Sequence, residues 1–161
     1  MDLQSKKPQR VHIRGGRDLT GELDWQRRII QSTKAQGGWG AKWATQWTVG
    51  VPDLILCLQG LGMFAMEVKL FDSVKPGWSR KIHTTDKQKH ELSKINEAGG
   101  LGLVGVVVKY DSGKRVSLVA SDPGRERLGE NHQLPMVEWH NKSFDVAELV
   151  LKHRRIKHVG E

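Results

Sequence analysis

The sequence contains almost no cysteine, no long apolar run and no excess of acid. Cys57 is the one cysteine among 161 residues, so the chain cannot form an internal disulfide, and a reducing compartment such as the cytoplasm fits best. No stretch approaches the roughly 20 apolar residues that a membrane-spanning helix needs. The first residues are charged and lack the apolar centre of a secretion signal. We therefore expect neither a disulfide scaffold nor a membrane or secreted protein.

The charge that the sequence does carry is mainly positive. Lys and Arg total 26 against 18 Asp and Glu, a formal net charge of +8. Such an excess favours a polyanionic partner, either nucleic acid or an acidic membrane surface. Membrane binding is the weaker alternative, because the basic terminal segment lacks a strong apolar face. The seven histidines do not fall into a metal-binding spacing, and a single cysteine excludes a zinc knuckle.

The order of the apolar patterns predicts an α/β protein with a mixed central β-sheet flanked by helices. The expected elements are a helix at residues 19–36, strands at 42–49, 54–58 and 63–70, a loop at 71–84, a helix at 85–98, strands at 101–110 and 115–120, an irregular stretch at 121–135 and a helix at 144–153. The segment at 42–49 is ambiguous, because the spacing of Trp39, Trp43 and Trp47 by four suits a helix, whereas the alternation of apolar and polar residues suits a strand; nearby glycines and β-branched residues favour the strand. The three tryptophans are expected to lie in the core.

The length fits one domain with a substantial core, since about 70% of the unfolded surface can be buried at this size. We expect a basic N-terminal arm at residues 1–17 and a single domain over residues 18–161. Within that domain, the core is expected at about residues 20–120, followed by a C-terminal extension at 121–161.

Charged residues interrupt two of the apolar runs. Asp53 follows Pro52 at the start of one predicted strand, and Glu67 and Lys69 lie two residues apart within the next. Residues i and i+2 of a strand share a face, so the carboxylate of Glu67 and the ammonium of Lys69 point the same way. Charges inside an apolar strand are costly unless something uses them. A metal ion and a phosphate would use them.

Glu22 lies at the edge of the apolar stripe of the first predicted helix, so it can lean toward the sheet and join Asp53 and Glu67. Two carboxylates ~4 Å apart repel by about 4 kcal/mol at an effective dielectric of about 20, so three would need a compensating cation. Oxygen ligands suit Mg²⁺ or Mn²⁺, which can polarise a phosphodiester and activate a bound water. Lys69 would orient that water or neutralise charge that grows on the phosphate.

Each of these residues also has an ordinary structural explanation. Glu67 and Lys69 could be a solvent-facing ion pair on a half-exposed strand. Asp53 could serve turn chemistry, and Glu22 could complement a helix dipole. Taken together, in this order and with this charge balance, the four residues favour a catalytic interpretation.

The same order resembles the PD-(D/E)XK nuclease superfamily, and most closely its virus-type replication-repair nuclease (VRR-NUC) branch. The resemblance covers about residues 20–110 and implies a restriction-endonuclease-like core. The segments that carry it are Glu22, Gly50-Val51-Pro52-Asp53-Leu54, Glu67-Val68-Lys69 and Thr85-Asp86-Lys87-Gln88.

The resemblance also implies a role for each of these residues. Asp53 and Glu67 would be metal ligands, Lys69 the catalytic lysine and Glu22 a further acid at the metal. Gln88 would lie near the active centre or the substrate backbone. Gln88 is also well placed to close a capping box at the start of its helix, and the sequence leaves both roles open.

A basic cluster follows the third predicted strand. Its members are Lys75, Arg80, Lys81, His83, Lys87 and Lys89. We expect these residues to contact the phosphate backbone of a nucleic acid. Trp78 within the cluster could stack on a base or anchor the loop on the core.

These features predict a Mg²⁺- or Mn²⁺-dependent DNA endonuclease. A compact basic chain without a separate sequence-reading domain fits recognition of DNA structure. By analogy with small members of the superfamily that it resembles, we expect branched DNA such as a Holliday junction as substrate, in repair or recombination, and a homodimer, because a four-way junction needs two cuts. Two alternatives remain: a phage or restriction-type nuclease acting on linear duplex, and a catalytically silent nucleic-acid-binding module.

Overall fold

A computed structural model describes residues 19–44 and 48–159; the arm expected at residues 1–17 lies outside these ranges. The elements are α1 (Leu19–Ala35), β1 (Trp39–Lys42), β2 (Leu54–Leu58), β3 (Gly62–Val74), β4 (Ser79–Lys81), α2 (Asp86–Glu97), β5 (Leu101–Tyr110), β6 (Val116–Ser121), β7 (Arg127–Gly129), β8 (Met136–Glu138) and α3 (Val146–Val159).

The main sheet has the strand order β1-β2-β3-β5-β6-β8 in the described part of the chain. The central strands β3 and β5 pair in parallel, joined by a crossover through α2, whereas the other neighbours pair antiparallel. A separate two-stranded sheet consists of β4 and β7. The predicted mixed sheet is therefore present, and residues 121–161 contribute β8 to it.

The alternation of β3 builds a core on each face of the sheet. Met66 and Val68 pack with α1 and α3 residues such as Ile29 and Leu149 on one side. Ala65, on the opposite face, packs in a second core that includes Leu92 of α2. Complete burial of a large apolar side chain contributes about 1.5–3 kcal/mol, so both cores hold β3 in place. The charged residues of β3 are thereby fixed in a rigid setting.

Helix α2 begins with the capping box that its sequence predicts. Thr85 is the N-cap; its hydroxyl accepts a hydrogen bond from the backbone N–H of Gln88 at 3.1 Å. The side chain of Gln88 accepts one from the backbone N–H of Thr85 at 2.9 Å. These two bonds satisfy donors that a helix start would otherwise leave unpaired, and they fix the orientation of Gln88.

The extents of several strands differ from the sequence expectation. The first strand is Trp39–Lys42 rather than residues 42–49, of which 45–47 lie outside the described ranges. The expected loop at 71–84 contains the end of β3 and all of β4, and the expected irregular stretch at 121–135 contains β7. Strands of three residues carry too little periodicity to be recognised.

Two of the tryptophans are exposed rather than buried. Trp39 is 51% exposed and Trp43 is 42% exposed; Trp39 lies on β1, an edge strand of the sheet, and Trp43 directly follows that strand. Trp47 lies outside the described residues. Within the described ranges, none of the helices combines the length and the apolar character that crossing a lipid bilayer demands.

Candidate active site

The β2–β3 hairpin places two acids next to each other. Leu54 pairs with Met66, so Asp53, just before β2, lies opposite Glu67. The backbone N–H of Asp53 donates to Glu67 Oε2 at 3.3 Å, and Asp53 Oδ2 accepts from the backbone N–H of Val68 at 2.8 Å. The Glu67 carboxylate is therefore held by the backbone of Asp53, and the Asp53 carboxylate by the backbone of Val68, the residue after Glu67.

Glu67 and Lys69 are both buried on β3, with 2% and 6% of their surface exposed. Glu67 Oε1 lies 3.3 Å from Lys69 Nζ and accepts a hydrogen bond from Gln88 Nε2 at 2.7 Å. The shared face expected from their spacing is confirmed. The alternative of a solvent-facing ion pair is wrong, because neither side chain faces bulk water.

Burial changes the acidity of both carboxyl groups. Loss of solvation, and after it the charge of Asp53, raise the pKa of Glu67 to about 7, against the opposing effect of Lys69. Burial likewise raises the pKa of Asp53, although the hydrogen bond from the Val68 backbone and the charge of Lys69 oppose it. Two neighbouring acids that resist ionisation indicate a site that a cation would complete.

The turn that leads to Asp53 depends on glycine at position 50. Gly50 has φ +83°, a left-handed conformation that other residues rarely adopt. A Cβ atom at this position would also overlap the side-chain stem of Lys87. The start of α2 therefore packs directly against the turn that carries Asp53.

A cleft of about 910 Å³ contains all five residues expected at the active centre. They are Glu22 from α1, Asp53 before β2, Glu67 and Lys69 on β3, and Gln88 on α2. Their sequence separations are large, so the fold alone brings them together. We call this cavity the catalytic cleft.

The convergence of three acids on one ion is not seen. Among the side chains that the structure describes, no group of three or more His, Cys, Asp or Glu is arranged to hold a metal ion. Asp53 and Glu67 form a close pair, whereas Glu22 lies in the wall of the catalytic cleft. The role of Glu22 as a further acid at the metal therefore stays a prediction.

The residues of the expected basic cluster occupy different places. Lys81, His83 and Lys89 line the catalytic cleft. The guanidinium of Arg80 donates to the backbone carbonyls of Asp72 at 2.7 Å and Ser73 at 3.4 Å, so Arg80 fastens β4 to the end of β3. Lys75 and Lys87 are exposed and line neither the catalytic cleft nor its neighbour.

A second cleft of about 520 Å³ continues past Lys69. It shares Glu22, Lys69, Lys81 and His83 with the catalytic cleft, so the two together form one groove. Its wall also contains Arg80 and Arg127. This part of the groove therefore adds two arginines to Lys69 and Lys81, together with one acid, Asp72.

Sequence reasoning missed three residues of this groove. Lys42 lines the catalytic cleft, and its positive charge opposes the rise in the pKa of Asp53. A correct prediction of the bounds of β1 would have revealed Lys42, because it pairs with Leu54. Arg127 joins the groove only through the pairing of β7 with β4, which no local pattern indicates. Gln26 is one helical turn after Glu22, a spacing that places both on one face of α1.

Comparison with known proteins identifies the fold. No protein-family model matches the chain, and no curated protein gives a significant match. Among solved structures, the chain is similar to Hjc, a Holliday junction resolvase from Archaeoglobus fulgidus, with 14% identity, a TM-score of 0.50, and coverage of 67% of this chain and 88% of that one. It also matches a VRR_NUC domain at 24% identity and a TM-score of 0.39, covering 56% and 86%. The likeness to Hjc confirms the predicted fold class: the chain has a Holliday junction resolvase-like α/β fold.

Proposed function

We propose that the chain is a divalent-metal-dependent endonuclease that hydrolyses phosphodiester bonds in DNA. The observation that carries this proposal is the cluster of the buried Glu67 and Lys69 with the half-buried Asp53 in the wall of an open cleft. Buried ionisable groups cost stability, and perturbed acids in a cleft are typical of functional sites. A dication and a phosphodiester would compensate all three charges.

The acid pair suits Mg²⁺ or Mn²⁺. Mg²⁺ commonly takes one or two protein carboxylates and completes its shell with water and substrate phosphate oxygens, so Asp53 and Glu67 are sufficient ligands. A bound ion would supply Lewis acidity and lower the pKa of a coordinated water. It would also favour the ionised form of Glu67, whose pKa the protein alone raises to about 7.

Lys69 and Gln88 have separate roles in this proposal. The ammonium of Lys69, 3.3 Å from Glu67, stabilises negative charge that develops on the phosphate. Gln88 orients the Glu67 carboxylate through its Nε2 atom while its Oε1 atom closes the capping box. The two roles that the sequence left open for Gln88 therefore coexist in one side chain. Glu22 would act through water molecules in the catalytic cleft.

The groove beside the acid pair supports DNA as the substrate. Positive side chains in its wall, including Lys81, Lys89 and Arg127, can contact the phosphate oxygens of a nucleic-acid backbone that crosses the groove. Hjc is a Holliday junction resolvase, and this likeness favours branched DNA and a role in repair or recombination. Two coordinated cuts in a four-way junction favour a homodimer.

A cleavage assay tests the proposal. Labelled linear duplex, single strand, flap and four-way junction are each incubated with Mg²⁺, with Mn²⁺ and with chelator. We expect cleavage that requires metal and is fastest on the junction. Cleavage of linear duplex at fixed sites would favour a restriction-type enzyme, and binding without any cleavage would favour a silent DNA-binding module.

A further inference from the structure

Two polar atoms in the wall of the catalytic cleft have no hydrogen-bond partner. Among the described residues, five buried side-chain polar atoms lack one: Gln26 Oε1, Trp78 Nε1, Thr84 Oγ1, Ser117 Oγ and His153 Nδ1. Gln26 and Thr84 both line the catalytic cleft. Gln26 is 6% exposed, so bulk water does not replace the missing donor.

The unpartnered oxygen of Gln26 has a cost that an apolar side chain would avoid. A buried carbonyl without a donor costs about 1–3 kcal/mol, and buried polar groups nearly always have a protein or water partner. Gln26 lies on α1 between the buried residues Trp25 and Ile29, where leucine would serve the helix equally well. The amide therefore indicates a ligand that supplies the donor.

Gln88 provides a contrast within the same cleft. Its Oε1 atom accepts from the Thr85 backbone and its Nε2 atom donates to Glu67. The amide of Gln88 is thus used by the protein itself. By contrast, no described group of the protein uses Gln26 Oε1, although Gln26 lines the same cleft.

The chemistry of the substrate decides which molecule that is. A carbonyl oxygen can only accept a hydrogen bond, and the phosphodiester of DNA has no proton to offer. In hydrolysis the water oxygen bonds to phosphorus, the bond from phosphorus to the leaving sugar oxygen breaks, one water proton passes to solvent and the leaving oxygen takes up another. Water is therefore the reactant that can donate to Gln26.

We propose that Gln26 is a positioning residue that orients a water molecule in the catalytic cleft beside Asp53, Glu67 and Lys69. This inference rests on the proposed phosphodiester hydrolysis. It assigns to α1 a second contribution besides Glu22, one helical turn earlier on the same face. Gln26 orients the water by accepting a hydrogen bond from it. Gln26 does not act as a general base, because an amide oxygen is too weak a base to take the proton.

The test compares Gln26→Leu, Gln26→Glu and a control, Gln31→Leu, on the exposed side of α1. Gln26→Leu removes the unpartnered oxygen, so its melting temperature in chelator should equal or exceed that of the wild type. Its kcat should fall roughly tenfold or more, the equivalent of one hydrogen bond, with KM for DNA unchanged. Gln26→Glu keeps an acceptor oxygen and should retain more kcat than Gln26→Leu. Gln31→Leu should resemble the wild type in both measurements.

The outcomes separate this inference from the proposed function. A wild type that cleaves no DNA overturns the proposed function and, with it, the assignment of the water as a reactant. If the wild type cleaves, a Gln26→Leu variant with wild-type kcat overturns the inference alone. A Gln26→Leu variant that melts well below the wild type also overturns it, since the oxygen then has a partner inside the protein.

Discussion

Burial makes the charges of Lys69 and Glu67 interact more strongly than those of an exposed ion pair. An exposed ion pair contributes little, but this pair is buried on β3 and lies next to the half-buried Asp53, so each charge depends on its neighbours. Removal of one partner leaves the other poorly compensated. The individual side chains therefore allow sharp tests of role.

Lys69→Ala should abolish cleavage while DNA binding stays close to that of the wild type. The ammonium acts where charge develops in the transition state, and loss of one such group typically costs about 10²–10³ in kcat. Single-turnover cleavage and a gel-shift assay measure the two effects separately. Lys114→Ala, in the exposed turn after β5, is the control, and retained turnover in Lys69→Ala would refute its assigned role.

The stability of the metal-free protein should decrease as pH rises. The folded-state pKa of Glu67 is raised from 4.5 to about 7, so the folded protein binds a proton more tightly than the unfolded chain in this window. The free energy of unfolding should thus be greatest below the ordinary pKa and should fall as pH rises through about 7. Urea unfolding in chelator measures this slope.

Glu67→Gln should flatten that slope because glutamine has no proton to lose. Asp111→Asn, which replaces an exposed acid in the turn after β5, should leave it unchanged. Mg²⁺ at pH 7.5 should raise the melting temperature of the wild type by mass action, but not that of Glu67→Gln. An equal slope in the wild type and Glu67→Gln would show that this carboxyl group ionises normally.

The small β4–β7 sheet contributes two arginines with different contacts to the groove. Arg80 is bonded to the backbone at the end of β3, whereas Arg127 contacts Ser79 through one nitrogen, at 3.1 Å, and lines the groove. Arg80 therefore fixes the sheet in place. Arg127 and Lys81 remain to contact phosphate.

Lys81→Ala and Arg127→Gln should each weaken DNA binding and lower the salt dependence of the affinity. Each lost phosphate contact should reduce the slope of log K against log salt concentration by about 0.9. Fluorescence anisotropy over a salt series, without metal, measures this slope. Lys114→Gln is the matched control, and an unchanged slope would remove the substituted residue from the interface.

The sequence predicted those elements whose signals are local. The bounds of β2 and β5, the capping box of α2 and the shared face of Glu67 and Lys69 follow from apolar runs, cap residues and strand alternation. The pairing of β4 with β7 joins residues about 48 positions apart, and no short pattern reports it. The partner of Gln88 was ambiguous because one amide can serve both a helix cap and a carboxylate.

The position of β1 was wrong for a physical reason. Alternating tryptophan and β-branched residues over 42–49 favour a strand, but the chain leaves the sheet after Lys42. Trp39 and Trp43 then lie at a sheet edge, where aromatic side chains remain exposed. A pattern of this kind indicates that the residues favour a strand, but it does not specify whether another part of the protein packs over their side chains.

The described part of the molecule presents one continuous groove at the open end of the β2–β3 hairpin, opposite its turn. Asp53 and Glu67 lie within it, and the positive residues beyond Lys69 extend it. A fold of this kind supplies a rigid sheet under the acid pair and leaves the groove open to a large substrate.

We expect the protein to act as a homodimer on junctions. Sedimentation equilibrium should give twice the mass of one chain. On a cruciform plasmid, two cuts within one binding event should convert supercoiled substrate directly to the linear form. A monomeric mass together with accumulation of nicked circles would contradict coupled cleavage.

The most direct test of metal-dependent hydrolysis at the acid pair is single-turnover cleavage of a labelled four-way junction by the wild type and by Asp53→Asn. With Mg²⁺ the wild type should cut the junction and Asp53→Asn should leave it intact while still binding it, and chelator should stop the wild type. Cleavage by Asp53→Asn at the wild-type rate, or by the wild type in chelator, would contradict the account.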